Sequence, residues 1–184
     1  MGPKTKQLSR GDWLAAAMNA LEVHGIQGVR VQTIAKKLGV TTGSFYWHFE
    51  NRRELLAAML DYWDGSMTDS VIVDVEAAGC APKERILTLM EVVVLKKRNR
   101  YDTAFRSWAR SDPAVAERVR GVDARRHRFV EGLFRTVGFT KSEARARGRL
   151  LADYLMAQGV VLDQYPEREL KRLLRAQWKV LVGE

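Results

Sequence analysis

Residues Val31–Phe49 read VQTIAKKLGVTTGSFYWHF, and the fold follows from how this stretch is parsed. Ile34, Ala35 and Leu38 recur at helical spacing within a first piece, Gln32–Leu38. A second short piece, Thr42–Phe49, follows through Gly39-Val40-Thr41 and turns Phe45 toward the first. Gly39 offers the left-handed backbone a tight turn needs, and Ala35 is small where two helices must approach closely. The sequence therefore predicts helix, turn, helix. The outer face of the second helix would carry Thr41, Thr42, Gly43 and Ser44, then Tyr46, Trp47 and His48. A buried helix has no use for such a face. A helix whose N-terminal end enters a major groove does, because small polar residues let the backbone approach base edges while Tyr and His reach phosphates.

Helix signals continue on both sides of this stretch. Upstream, Ser9 and Asp12 form a capping box, Leu8 and Trp13 sit at the positions of a hydrophobic staple, and Gly25 is the expected stop. Downstream, Asn51 with Glu54 opens a helix expected to run unbroken to about Val75. A loop with Gly79 and Pro82 precedes a helix over about Lys83–Arg98, and a shorter one covers about Tyr101–Arg110. Asp112-Pro113 starts a helix that Gly138 closes. Thr140 with Glu143 caps another reaching about Asp163, and the last runs from Pro166 to about Val182. The expected architecture is all-α with nine helices and no strand. A three-helix helix-turn-helix domain (1–53) leads without a flexible linker into a helical effector-binding and dimerisation domain (54–184).

Charge and composition narrow the function. The net charge of +9 on 184 residues points to a polyanionic partner. Residues 1–53 hold eight Lys or Arg against three acids, whereas the remaining 131 hold 23 against 19, so positive charge is densest where the helix-turn-helix lies. Lys4 and Lys6 would form a basic arm ahead of the first helix. No apolar run of about 18 residues is present to span a membrane, and Met1–Arg10 lacks the apolar core of a signal peptide, so a cytoplasmic protein is expected. The lone Cys80 permits neither an internal disulfide nor a cysteine zinc site, and no metal or other cofactor is expected. His24, His48 and His127 lie far apart, and no HExxH, GxGxxG, P-loop or GxSxG occurs, so the chain does not read as an enzyme.

The run GVTTGSFYWHFENRRELL (Gly39–Leu56) closely resembles the recognition element of the TetR family of transcriptional regulators. In that family a Tyr-x-His-Phe run ends the recognition helix and a basic residue opens the next one. The resemblance implies that Thr41, Thr42, Gly43 and Ser44 face the groove and that Tyr46 and His48 contact phosphate. It also implies that Trp47 lines the groove, that Arg52 holds backbone phosphate, and that Gln32 and Thr33 add contacts from the preceding helix. Val31 departs from the pattern, since some relatives carry a hydroxyl residue there. Further on, Phe105–Arg126 (FRSWARSDPAVAERVRGVDARR) and Val137–Gly148 (VGFTKSEARARG) resemble the sensing domain of one TetR subgroup.

That resemblance implies a homodimer on a near-palindromic double-stranded DNA operator, a repressor by default, released by a small-molecule effector and needing no membrane. Large adaptable side chains, Trp63, Met67, Met90, Phe105, Trp108 and Phe129, are the expected lining of an apolar effector pocket. Leu151, Tyr154, Leu155, Leu162, Leu174 and Trp178 are the expected dimer face on the last two helices. An ion pair between Arg106 and Asp123 is expected within the sensing domain. A helical protein-interaction adaptor, or a regulator without an effector, is the alternative on the same fold.

Overall fold

The computed structural model describes residues 8–160 and 165–183. Among them the chain forms nine α-helices and no strand: α1 (Arg10–Gly28), α2 (Val31–Leu38), α3 (Arg52–Asp64), α4 (Ser70–Glu76), α5 (Pro82–Leu95), α6 (Asp102–Ala109), α7 (Pro113–Val137), α8 (Lys141–Ala157) and α9 (Glu167–Val182). The expected caps are present. Ser9 and Asp12, and likewise Thr140 and Glu143, satisfy each other's backbone N–H groups, and the Thr140 bonds hold the Glu143 carboxyl below its ordinary pKa. Asp112 accepts from Ala114 and Val115 at the start of α7, and Gly138 ends that helix at φ 108°. Asn51 caps α3 through the Glu54 N–H, but the Glu54 carboxylate reaches back to the Glu50 N–H, so the expected box is completed one residue early.

Two elements differ from expectation. Residues Thr42–Trp47 form a 3₁₀ helix rather than an α-helix. Thr41 gives no side-chain cap and Phe45 alone is buried, so nothing lengthens the turn beyond i→i+3 bonds such as Ser44 N–H to the Thr41 carbonyl at 3.1 Å. Second, the helix after Asn51 is not continuous. Gly65–Asp69 is a π-turn separating α3 from α4. Side chains from elsewhere hold its carbonyls: Ser70 Oγ (2.6 Å) and Arg98 Nη1 (3.2 Å) both donate to Ser66, and Arg126 Nη2 donates to Met67 at 3.4 Å. Gly25 interrupts α1 as expected: at φ 64° and ψ −171° its backbone is not helical, and only a short turn continues beyond this kink to Gly28.

Two hydrophobic cores hold these elements together. The first gathers Trp13, Met18 and Leu21 of α1, Phe45 and Phe49, and Leu55, Met59 and Trp63 of α3, then continues to Phe105 and Trp108 of α6 and Val119 of α7. It therefore runs across residue 53. The second packs Val75, Ile86, Met90, Phe134, Leu151 and Leu174 from α4, α5, α7, α8 and α9. α7 and α8 approach so closely at Gly148 that a Cβ there would stand 2.9 Å from the backbone of Glu131. Gly148→Ala is expected to force these helices apart and lower the unfolding free energy by about 1–3 kcal/mol, checked by urea denaturation. An unchanged midpoint would show that the contact yields without cost.

Candidate nucleic-acid interface

Local geometry aims the 3₁₀ segment outward. α2 ends on Gly39 in the left-handed region (φ 71°, ψ 29°), whose N–H and that of Val40 close onto the Ala35 carbonyl. The chain then turns back across α2, and Phe45 plugs into the first core. Its ring meets Trp13 edge-on at 5.3 Å and stacks on Phe49 at 5.4 Å. The Arg10 guanidinium lies 4.5 Å from the Phe49 ring centre while pairing with Glu54 at 3.3 Å. With Phe45 fixed inward, its neighbours have no route to the core. Tyr46 is 64 % exposed and Trp47 87 %. Thr41, Thr42 and Gly43 are exposed, and Ser44 and His48 are half-buried.

α2 and the start of α3 complete the surface. Gln32 and Thr33 are exposed on the first turn of α2. Gln32, Thr42, Tyr46 and Arg52 border one concave surface together with Arg30, Val31 and Asn51. Its chemistry is mixed in a way that suits a nucleic acid: an amide able to pair with base edges, hydroxyls that donate or accept, a phenol, and guanidinium groups. Arg30 and Asn51 were not anticipated as members. The signal for Arg30 was its place two residues before Gln32, at the mouth of α2. Arg52 does more than the resemblance implies. Its Nε donates to the Val29 carbonyl at 2.7 Å and its Nη2 to Ile26 at 3.2 Å, satisfying the carbonyls exposed by the turn at the end of α1. This arginine locks α3 to α1. Lys37 bonds the Asn19 side chain of α1, and Lys4 and Lys6 lie outside the described residues.

The other sequence-predicted sites are arranged differently from expectation. An apolar cavity of about 50 Å³ exists, and Met67 and Phe129 line it. Trp63, Met90, Phe105 and Trp108 do not. Trp63 and Phe105 stack at 4.8 Å in the first core with Trp108 behind them, and Met90 is in the second. Bulk and adaptability marked those four as pocket residues, but the same properties let them fill the core completely. On the expected dimer face, Leu151, Leu155 and Leu174 are buried within the single chain. Trp178 donates its indole N–H to the Lys83 carbonyl at 2.8 Å, and Tyr154 donates to Gln177 at 2.8 Å. Leu162 lies outside the described residues. The apolar side chains that α8 and α9 leave outward are Leu150 (68 % exposed) and Val180 (76 %). The expected Arg106–Asp123 pair is present and bidentate, at 2.8 and 2.6 Å.

Residues 14–59 match the family model described as bacterial regulatory proteins, tetR family. Over 55 residues, 30 % of this chain and 26 % of the relative, the chain is 40 % identical to the HTH-type transcriptional regulator TtgR of Pseudomonas putida. Over 53 residues, 29 % of this chain and 24 % of the relative, it is 38 % identical to the tetracycline repressor protein class D of Escherichia coli. These matches span about a quarter of the length of those curated relatives. The fold similarity extends much further. A TetR transcriptional regulator from Legionella pneumophila superposes with a TM-score of 0.71 at 15 % identity, covering 96 % of this chain and 99 % of that one. A transcriptional regulator from Rhodococcus sp. RHA1 gives 0.69 at 21 % identity, covering 96 % and 95 %. Residues 14–59 thus match the tetR-family helix-turn-helix, and the chain as a whole shares the fold of these solved regulators.

Proposed function

We propose that this chain is a DNA-binding transcriptional regulator that works as a homodimer on a near-palindromic operator, represses by blocking promoter access, and is released by a small-molecule effector. The observation that carries the reading is the face around Phe45. A folded domain that leaves Tyr46 and Trp47 in water beside Gln32, Thr42 and Arg30 has built a surface for something else to cover. The relatives' printed names, transcriptional regulators and a tetracycline repressor, support regulation and repression. The adaptor alternative gives no reason for hydroxyl, amide and guanidinium groups to gather on this surface.

The interface makes separable predictions. His48→Ala and Arg30→Ala are expected to weaken binding to specific and unrelated DNA alike, because phosphate contacts set register rather than sequence. Arg30→Ala should also make the slope of log affinity against log salt less negative by about one unit. Arg52→Ala should lower both DNA affinity and melting temperature, since it removes the side-chain donor to the Val29 carbonyl and leaves the Ile26 carbonyl with the Val29 N–H. Fluorescence anisotropy across a salt series reads all three variants. An altered sequence preference at an unaltered salt slope would refute the phosphate role.

Thr42 faces the concave surface near the start of the recognition segment and is assigned to base reading. Its substitution by Val should change discrimination at one or two positions of each half-site by about 1–3 kcal/mol. Site selection with the variant is the check, and recovery of the parent motif would reject the assignment.

For the dimer, the outward side chains Leu150 and Val180 are the sites to test. Leu150→Asp combined with Val180→Asp is expected to shift the light-scattering mass from dimer to monomer with the helical signal retained. Trp178→Asp, by contrast, should unfold the chain, because it removes an indole already bonded to α5. A parent protein that is monomeric at micromolar concentration would contradict the dimer and the palindromic operator together.

A further inference from the structure

The cavity lies among α4, α5, α7 and α8, with the π-turn forming part of its wall. Its apolar part includes Val71, Val93, Phe129 and Leu155, and its polar groups are Thr68, Arg98, Asn99, Asp102 and Arg126. Most of these are fully engaged. Arg126 donates to Asp102 at 2.6 and 3.2 Å and to Thr68 Oγ1 at 3.0 Å, while Asp102, 1 % exposed, also accepts the Trp63 indole N–H at 2.7 Å. Asn99 Nδ2 donates to the Leu155 carbonyl at 2.7 Å. Arg98 is the exception. It donates to the Ser66 carbonyl at 3.2 Å and forms a long, part-exposed ion pair with Asp74 at 3.9 Å, without a hydrogen bond between them. Within the lining Arg126 and Asp102 neutralise each other, so Arg98, whose ion pair with Asp74 is long and lies outside the lining, is the guanidinium best placed to take an incoming carboxylate.

We infer that this cavity is a site for an apolar monocarboxylate, which places its carboxylate on Arg98 and its apolar body against Val93, Phe129 and Leu155. A charge-assisted bond to a guanidinium in apolar surroundings is stronger than one in water. A cationic ligand would meet Arg98 with like charge, and a neutral one would gain the apolar contact alone. Size makes binding conditional. A dry apolar cavity of roughly 150 Å³ accepts benzene, and a space of about 50 Å³ admits a larger ligand only when a wall moves. The wall suited to move is the π-turn. A carboxylate that takes Arg98 competes with the Ser66 carbonyl for the same guanidinium, and its release lets Gly65–Asp69 re-register against α3, the helix that Arg52 locks to the reader. This deepens the effector reading given above, and only its consequence for DNA rests on that reading.

The test uses the full chain without DNA first. Hexanoate, 1-hexanol and hexylamine are titrated by calorimetry into the parent, Arg98→Gln and Arg98→Lys, each checked for retained helical signal. The parent should bind hexanoate about tenfold or more tighter than 1-hexanol and bind hexylamine least. Arg98→Gln should erase that preference while 1-hexanol binding stays within about twofold, and Arg98→Lys should restore part of it. Hydrogen exchange across residues 65–71 should quicken in the parent with hexanoate. No hexanoate binding at millimolar concentration, equal binding of acid and alcohol, or a preference that survives in Arg98→Gln overturns the site. Exchange that stays unchanged on binding overturns the role of the π-turn. DNA affinity is then measured with and without hexanoate, so a failure of DNA binding itself counts against the regulator reading and leaves the binding result standing.

Discussion

Burial of one stripe on α3 is the constraint on which the rest of the structure depends. Leu55, Met59 and Trp63 fall at i, i+4 and i+8 and are fully buried. Their N-terminal end meets Phe45, Phe49 and Trp13; their C-terminal end meets Phe105 and Trp108. Each such side chain contributes about 1.5–3 kcal/mol when fully buried. The stripe therefore ties the recognition segment to α6 more strongly than any surface contact. The reader is not a bead on a tether. Moving it relative to α6 and α7 means sliding or breaking this packing, which is the mechanical condition for one site to sense another.

Electrostatics reinforces the same helix at its far end. Arg118 of α7 bonds Asp64 at 2.9 Å and Asp61 at 2.7 Å, Arg125 pairs with Asp64, and Arg126 reaches Asp102 beneath Trp63. Exposed members of this set add little individually, but removing a partner from the buried Arg126–Asp102 pair would cost about 3–5 kcal/mol. Near the reader, Arg100 forks onto Glu22 of α1 at 2.5–2.9 Å, so α1 is held to the α5–α6 connection as well. α3 is thus clamped at both ends. The π-turn that follows is where the helical hydrogen-bond register changes, and the two arginines that bond its carbonyls, Arg98 and Arg126, also line the cavity. A change there has few ways to dissipate except along α3.

Much of this was legible in the sequence because the deciding features are local. The Ser9–Asp12 and Thr140–Glu143 capping boxes, the left-handed Gly39 turn and the inward Phe45 depend on residues within a few positions of one another, and the structure reproduces them. The Arg106–Asp123 pair was legible too, through the resemblance of its segment to the sensing domain of one TetR subgroup. What failed to show depends on distant partners. The π-turn exists where Arg98 and Arg126 hold the Ser66 and Met67 carbonyls, and neither arginine is near it in sequence. Apolar stripes on α8 and α9 predicted burial correctly but not against what: Leu151, Leu155 and Leu174 found partners inside the chain. Large aromatic side chains likewise announced an apolar interior without saying whether it would be full or hollow. Arg52 illustrates both cases, for its place in the motif was plain while its bonds to the end of α1 required the folded chain.

The face presented by Gln32, Thr42, Tyr46, Trp47 and Arg30 is the surface proposed to read double-stranded DNA. The most direct measurement is selection of bound fragments from randomly sheared genomic DNA by the purified chain, with the same selection run on a Tyr46→Ala, Trp47→Ala variant. The parent is expected to enrich a small set of fragments sharing a near-palindromic motif, with binding that weakens steeply as salt rises, and the variant to lose the enrichment while remaining folded. A folded parent that enriches no fragment above the input, or a variant that enriches the same set, would contradict this reading.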